Sequence, residues 1–426
     1  MTAGVDLSHL PVADSRRIAA RVTKDAARHI RSGHPWIFDS SITSLSHEGA
    51  AGDLAVVFDE RRKFMAIGLF DPDSPIRIRV LHHGDPATID RSWWRARRDA
   101  ALELRRGLAE SAHASDEPTT DGYRIVNGEN DGFGGLVIDR FASTYVIKIY
   151  TPAWFPHLND VLAAFDETIA EPSPEPPNVI VRLARSVAAA ETYGLVDGAA
   201  LRGITPNEPV LFRENGLTFE ADVVHGQKTG AFLDQRDKRQ MVRELSRGAD
   251  VLDVFSCTGG FSVHAAAGGA TSVTSVDIAR HAIDAAIRNM AHNLGDPGVA
   301  ACVHHTSVGD AFEVMARLAD DGRTFGVVVI DPPSFAQKQV NADGALRAYG
   351  RLTAAGLRLV EPGGLLVQAS CSSRVSADDF FDTVTRAADA QGARLTEVAR
   401  TTHGVDHPVT FREGAYLKAL FARVGR

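Results

Sequence analysis

Three cysteines in 426 residues, none spaced as CxxC, leave nothing from which to build a disulfide framework or a zinc cluster. They suit a reducing compartment, and no metal site is expected. Long hydrophobic runs are also missing, since no stretch reaches the roughly 18 apolar residues of a membrane-spanning helix. The first residues carry Asp6, Arg16 and Arg17 with no apolar core between basic and small-residue regions, so no signal peptide is evident. A cytoplasmic location without a membrane partner is the expectation. Two nucleotide signatures are absent as well. Without GxGxxG the usual pyrophosphate cradle is missing, and without GxxxxGK[ST] nucleoside triphosphate chemistry is not indicated. There is no internal repeat, and biased sequence is confined to EPSPEPPN (Glu171 to Asn178), a loop or linker that no helix could traverse.

With 44% hydrophobic and 23% charged residues, the chain has the balance of a globular protein. Its length suggests two or three domains at ~150 residues each. The net charge of −8 argues against a polyanionic partner, because nucleic-acid binders gain affinity by neutralising phosphates. Distribution matters more. Residues 1–110 hold 17 Lys/Arg against 15 Asp/Glu, and the remainder 29 against 39. Between Arg16 and Arg31 six basic residues face one acid, Asp25, which suits either a phosphate-contacting face or a solvated one.

From 16 to 83, runs such as GDLAVVFD, FMAIGLFD and IRIRVL have strand length, and the last predicts one wet, basic face. A small β-barrel is expected there. SWWRARRDAALELRRGL predicts a basic amphipathic helix within 88–110. LFRENGLTFEADV (Leu211 to Val223) predicts a hairpin turning at Asn215-Gly216. Strands are then expected at 251–255, 272–276, 300–304, 325–330, 364–370, about 395–401 and 415–423, with helices between the earlier ones. This is the alternation of an α/β, doubly wound, mostly parallel sheet whose last strand runs antiparallel.

The stretch VLDVFSCTGGF organises the rest: a strand from Val251, a glycine turn, then a helix. Ligands of open α/β sheets bind off the carboxyl ends of strands, and glycine there admits close backbone approach. Asp277 ends the next apolar run, where a carboxylate accepts both hydroxyls of a ribose; a helix cap is the plainer reading. Asp310, after the third strand, suits a purine amino group and equally an N-cap. DPPSF (Asp331 to Phe335) follows a buried strand, its prolines projecting Asp331 and a nearby aromatic face from the sheet edge. Cys371, in SCSS, ends strand GLLVQAS at the same edge. A structural cysteine is the default for any Cys, yet here a thiolate has room to be activated. Cys257 and Cys302 read as packing residues.

These motifs, together with GHPWIF, GENDGFGGLVIDRF, QKTGAFLDQRDKR, SVDIARHAIDAAIRNMAHN and DHPVTFREGAYLK, resemble the class I S-adenosylmethionine-dependent methyltransferases that form 5-methylcytosine in 23S ribosomal RNA. The resemblance spans nearly the whole chain. It implies a PUA domain (16–83), a central EEHEAD-like α+β domain (88–205) and a Rossmann-like methyltransferase domain (210–426). S-adenosyl-L-methionine is the implied cofactor. Its contacts would come from Phe255, Ser256, Thr258 and Gly259, from Asp277, Asp310 and Asp331, and from Gln235 and Arg236 nearby. The implied partner is large-subunit 23S rRNA, with a homodimer left open. Cys371 would add to carbon 6 of cytosine while Asp331 stabilises charge at the ring nitrogen. The alternatives are N-methylation of an exocyclic amine, which needs no thiol, and a non-catalytic RNA-binding protein on the same fold.

Overall fold

The computed structural model of the chain describes residues 5–113, 119–169, 177–335 and 342–425. All but the last two residues of the Pro-rich stretch Glu171 to Asn178 lie outside them. Two compact units emerge. One comprises Met1–Arg213, Ala221–Leu233 and Val405–Phe411, the other Glu214–Glu220, Asp234–Gly404 and Arg412–Arg426.

The first unit opens with β1 (Ile18–Val22), α1 (Lys24–Arg31), β2 (Trp36–Phe38), β3 (Ile42–Leu45), β4 (Leu54–Phe58), β5 (Phe64–Phe70) and β6 (Ile76–His83). The sheet order is β2-β6-β5-β4-β1-β3. Its two edge strands, β2 and β3, are joined by the single turn Asp39–Ser41. Laid flat, six strands would hold those edges about 24 Å apart, and so short a link spans at most about 14 Å, so the sheet must curl into a barrel. Thr23 caps α1 by accepting the Ala26 N–H, and Ala26, Ala27 and Ile30 turn its apolar face inward. The basic stretch from Arg16 to Arg31 is therefore divided between a strand and a helix, and two of its arginines are paired, Arg28 with Asp25 and Arg31 with Asp59.

The wet basic face expected for IRIRVL is not observed. Arg79 is buried, its side chain laid along Gly134 and Gly135, and Arg77 binds Asp39 (2.8 Å). The long arginine stem covers backbone that no bulky residue occupies.

The same unit continues with α2 (Arg91–Leu104), α3 (Arg106–His113), β7 (Gly122–Asn127), β8 (Leu136–Phe141), β9 (Thr144–Ile149), α4 (Leu158–Ile169), β10 (Asn178–Leu183), α5 (Arg185–Ala188) and β11 (Ala200–Arg202). They form an α+β layer with sheet order β11-β10-β9-β8-β7. The single helix expected over 88–110 breaks at Arg105. That side chain is fully buried and bonds the carbonyls of Ala101 and Arg124 and the carboxylate of Asp131. Trp94, Phe133, Trp154 and Phe165 pack ring to ring beneath the helices and form the core.

A hairpin of β12 (Val210–Glu214) and β13 (Leu217–Ala221) turns at Asn215-Gly216, both in the left-handed region, as Asn-Gly turns require. After it come α6 (Arg236–Leu245), β14 (Asp250–Val254), α7 (Gly260–Ala267), β15 (Ser272–Asp277), α8 (Arg280–His292), α9 (Pro297–Ala301), β16 (Val303–Val308), α10 (Ala311–Asp320), β17 (Phe325–Ile330), α11 (Ala342–Leu357), β18 (Val360–Ser370), α12 (Ala377–Ala390), β19 (Arg394–Thr401) and β20 (Lys418–Gly425). The seven-stranded order is β16-β15-β14-β17-β18-β20-β19, with β20 antiparallel to both neighbours. This is a Rossmann-like, mostly parallel α/β sheet. The strand expected at 300–304 starts three residues later, because Asp296 caps a helical turn opened by Pro297. The order reverses between β14 and β17, the crevice where ligands bind in such sheets.

Candidate active site

Five consecutive strands deliver the sequence-predicted residues to one edge. In sheet order, β16 leads to Asp310, β15 ends in Asp277, β14 runs into the Phe255–Gly259 turn, β17 into Asp331 and β18 into Cys371. At about 4.8 Å per strand, the row extends over about 19 Å.

The central turn is strained where it meets this crevice. Phe255 (φ 63°) and Cys257 (φ 47°) occupy left-handed backbone that side chains disfavour, and Gly259 (φ 77°) caps α7. A Cβ on Gly259 would lie 2.8 Å from that of Ala286, so glycine is required both for its conformation and for the approach of α8. The turn is held by the Ser256 N–H to the Val276 carbonyl (3.0 Å), the Cys257 N–H to Asp277 Oδ2 (3.0 Å) and the Asn289 amide to the Thr258 carbonyl (2.8 Å).

Asp277 accepts one backbone N–H on each oxygen, the second from Ala279 (2.9 Å), which leaves each oxygen a further lone pair. Next to it Ile278 is 72% exposed, a large apolar surface beside an acceptor carboxylate. Sequence reading overlooked it, since nothing in SVDIAR distinguishes an exposed isoleucine from a buried one. A close-approach turn, a bidentate acceptor and an apolar shelf together fit a nucleoside-bearing ligand. Asp310 is exposed and spends Oδ1 on the N–H groups of Phe312 and Glu313, capping α10.

Asp331 is fixed by Gln235, whose Nε2 donates to both of its oxygens at 2.9 Å. Arg236 turns its Nε to Asp237 (3.2 Å) and lies close to Glu214 and Arg239, themselves joined by two bonds of 2.6 Å. Behind Asp331, burial pulls the Lys238 amine down to about 8, and its Nζ donates to the Thr402 carbonyl (2.6 Å).

Cys371 follows directly on the neighbouring strand β18, half-buried, its Sγ 3.7 Å from the Pro332 carbonyl and hence against the Asp-Pro-Pro loop. Below it, Ser370 donates to the phenol of Tyr349 (2.9 Å), whose burial pushes its pKa up to about 12. Phe335 corrects one expectation. Its ring does not project from the sheet edge but packs edge-on against Tyr349 (5.4 Å) and joins the apolar core. Contact with the buried Tyr349 ring of α11 takes its apolar face out of water, which outweighs projection from the edge.

The other two thiols are pushed up to about 11 by burial, which makes them poor nucleophiles. Beneath the turn, fully buried Asp253 accepts the Ser262 hydroxyl (2.6 Å) while its Oδ1 lacks a partner, and burial raises its pKa to about 7. No group of three or more His, Cys, Asp or Glu among the described residues is arranged to hold a metal ion, and no helix there is long and apolar enough to cross a membrane.

The chain is similar to known proteins. Residues 195–423 match the S-adenosylmethionine-dependent methyltransferase family, and residues 20–83 match the PUA-like domain. A ribosomal RNA large subunit methyltransferase of Deinococcus radiodurans is 47% identical over 97% of this chain and 99% of its own length. The ribosomal RNA large subunit methyltransferase I of Shewanella frigidimarina is 34% identical over 93% and 97%. In fold, the chain is similar to an S-adenosylmethionine-dependent methyltransferase structure from Streptococcus mutans, at TM-score 0.77 and 21% identity over 95% of this chain and 99% of that one. SMU.776, assigned as a methyltransferase and complexed with SAH, gives TM-score 0.78 at the same identity and coverage. A sheet edge suited to a nucleoside, joined to these matches over nearly the whole chain, makes this protein a member of the S-adenosylmethionine-dependent methyltransferase family, with a PUA-like domain at its N-terminal side and S-adenosylmethionine as its cofactor.

Proposed function

We propose that this protein methylates large-subunit ribosomal RNA, forming 5-methylcytosine in 23S rRNA through a covalent adduct with Cys371. The observation that carries the reading is the approach of Cys371 Sγ to the Pro332 carbonyl, which sets a thiol against the backbone of the loop that Asp331 opens. The names of the relatives support ribosomal RNA as the substrate. In our reading the chain has three parts, 16–83, 88–205 and 210–426, the first two gripping RNA while a base is extruded into the crevice.

Phe255, Ser256, Thr258 and Gly259 would line the cofactor's approach, with Asp277 on its ribose, Ile278 along its base, and Asp310, Gln235 and Arg236 around it. When bound, the cofactor supplies an electrophilic methyl group. Carbon 5 of cytosine is a poor nucleophile, and the residues of this chain correct that. The Cys371 thiolate adds to carbon 6, and carbon 5 becomes enamine-like. Asp331, oriented by Gln235, donates its carboxyl proton to the ring nitrogen where negative charge develops. Loss of the carbon 5 proton then lets the thiol leave. N-methylation through the Asp-Pro-Pro loop would want an aromatic ring open to the base, and Phe335 is turned into the core.

Product analysis tests the assignment. Incubation with 23S rRNA and methyl-labelled cofactor, followed by nucleoside digestion and mass spectrometry, should yield 5-methylcytidine; label on an exocyclic amine of guanine or adenine would overturn it.

A further inference from the structure

Lys418 opens β20 and sits across the antiparallel ladder from Ser370, one residue before the candidate nucleophile. The residue is 2% exposed. Its Nζ donates to the carbonyls of Ser372, of Val375 (2.6 Å) and of Tyr416 (3.4 Å). Three acceptors match the three N–H bonds of an ammonium, whereas a neutral amine offers only two. The fold has thus prepared a place for a buried cation, and such a cation is costly without a counter-charge.

Among the described residues no carboxylate pairs with it. Burial pulls the amine down to about 8, and among the described residues Cys371 is the ionisable neighbour that favours its charged form. Asp331, on the loop after β17, is anionic when ionised, and the Tyr349 phenol of α11 is kept neutral by burial. Lys238 of α6 is held at the Thr402 carbonyl, with Asp234, Asp331, Asp237 and Arg239 as its charged neighbours.

We propose that Lys418 is the counter-ion of the Cys371 thiolate: the thiol releases its proton to solvent, the ammonium keeps its own, and the Ser372, Val375 and Tyr416 carbonyls fix the cation beside the sulfur. Lys418 is then a positioning residue that does two things. It staples the loop carrying the nucleophile to the last strand, and it holds the nucleophile in its reactive form before RNA arrives. The proposal rests on Cys371 as the nucleophile, yet its test is independent of turnover.

The experiment is alkylation of the full chain by iodoacetamide across pH, without RNA, with the Cys371 peptide followed by mass spectrometry. Wild-type Cys371 should react with a midpoint below the ~8.5 of a free thiol. Lys418→Met should move that midpoint up by at least one unit, a loss of about tenfold in the neutral-pH rate. Lys418→Arg should restore most of it. A wild-type midpoint at or above that of a free thiol overturns the proposal even if the methionine variant does not fold. So does a folded Lys418→Met with the wild-type profile. Should Cys371→Ala retain turnover while these shifts appear, the nucleophile assignment fails and the ion pair stands.

Discussion

Replacing Asp253 by asparagine isolates the electrostatic cost of the ground beneath the cofactor turn. Burial is the main cause of that carboxyl's shift from 3.8 to about 7, the charges of Asp331 and Asp277 add to it, and the Ser262 hydroxyl opposes it. In the folded protein the neutral form is favoured, so the sign is opposite to that of an ion-paired aspartate. Between about pH 4 and pH 7 the unfolded chain has lost this proton and the folded one keeps it, so stability falls as pH rises through that window and levels off above it. About three units at 1.36 kcal/mol each place the full penalty on the order of 4 kcal/mol. Asparagine has the same shape, still accepts from Ser262 and never ionises. Urea unfolding of both proteins at pH 5 and pH 8.5 should show the variant gaining on wild type by about 2.5 kcal/mol between the two. A difference that stays constant with pH, or a variant that loses ground at pH 8.5, would refute the reasoning.

Gly259→Ala forces a left-handed alanine, at about 1–2 kcal/mol, and drives its Cβ to 2.8 Å from Ala286, at a further ~1–3 kcal/mol. Thermal unfolding should drop by about 5–15 °C and calorimetric affinity for S-adenosylmethionine should fall with it; an unchanged melting temperature contradicts the close-approach argument. Gln235→Leu removes both hydrogen bonds that orient Asp331, worth together about 1.5–3 kcal/mol. kcat should fall by about 10- to 100-fold, and an unaltered kcat would remove Asp331 from the proposed chemistry.

Much of the architecture was legible because it rests on period and punctuation. Alternating apolar runs and helical spacings announced the seven-stranded sheet, and Asn215-Gly216 announced its hairpin. Boundaries failed where a side chain or cap outweighed periodicity, as at Arg105, which breaks a helix by being buried, and at Pro297, which starts one. Strand ends told which residues reach the crevice, because strand order alone delivers Asp277, Asp331 and Cys371 to one edge. What pairs with what was not legible. The Gln235 grip on Asp331 links residues 96 positions apart, and the exposure of Ile278, the inward turn of Phe335 and the burial of Lys418 and Arg79 are decided by packing that no local pattern encodes. Composition also misled in one respect: an arginine-alternating strand reads as solvated, yet glycines from a distant loop admit the side chain to the interior.

The most direct measurement is single-turnover methylation of 23S rRNA by Cys371→Ala, beside calorimetry of its S-adenosylmethionine binding. Because the alanine leaves the turn at Gly259 and the carboxylate of Asp277 untouched, cofactor affinity should remain within about twofold while methyl transfer falls by at least about a thousandfold. Methyl transfer within a few-fold of wild type would contradict the thiolate route and return the protein to chemistry that needs no covalent adduct.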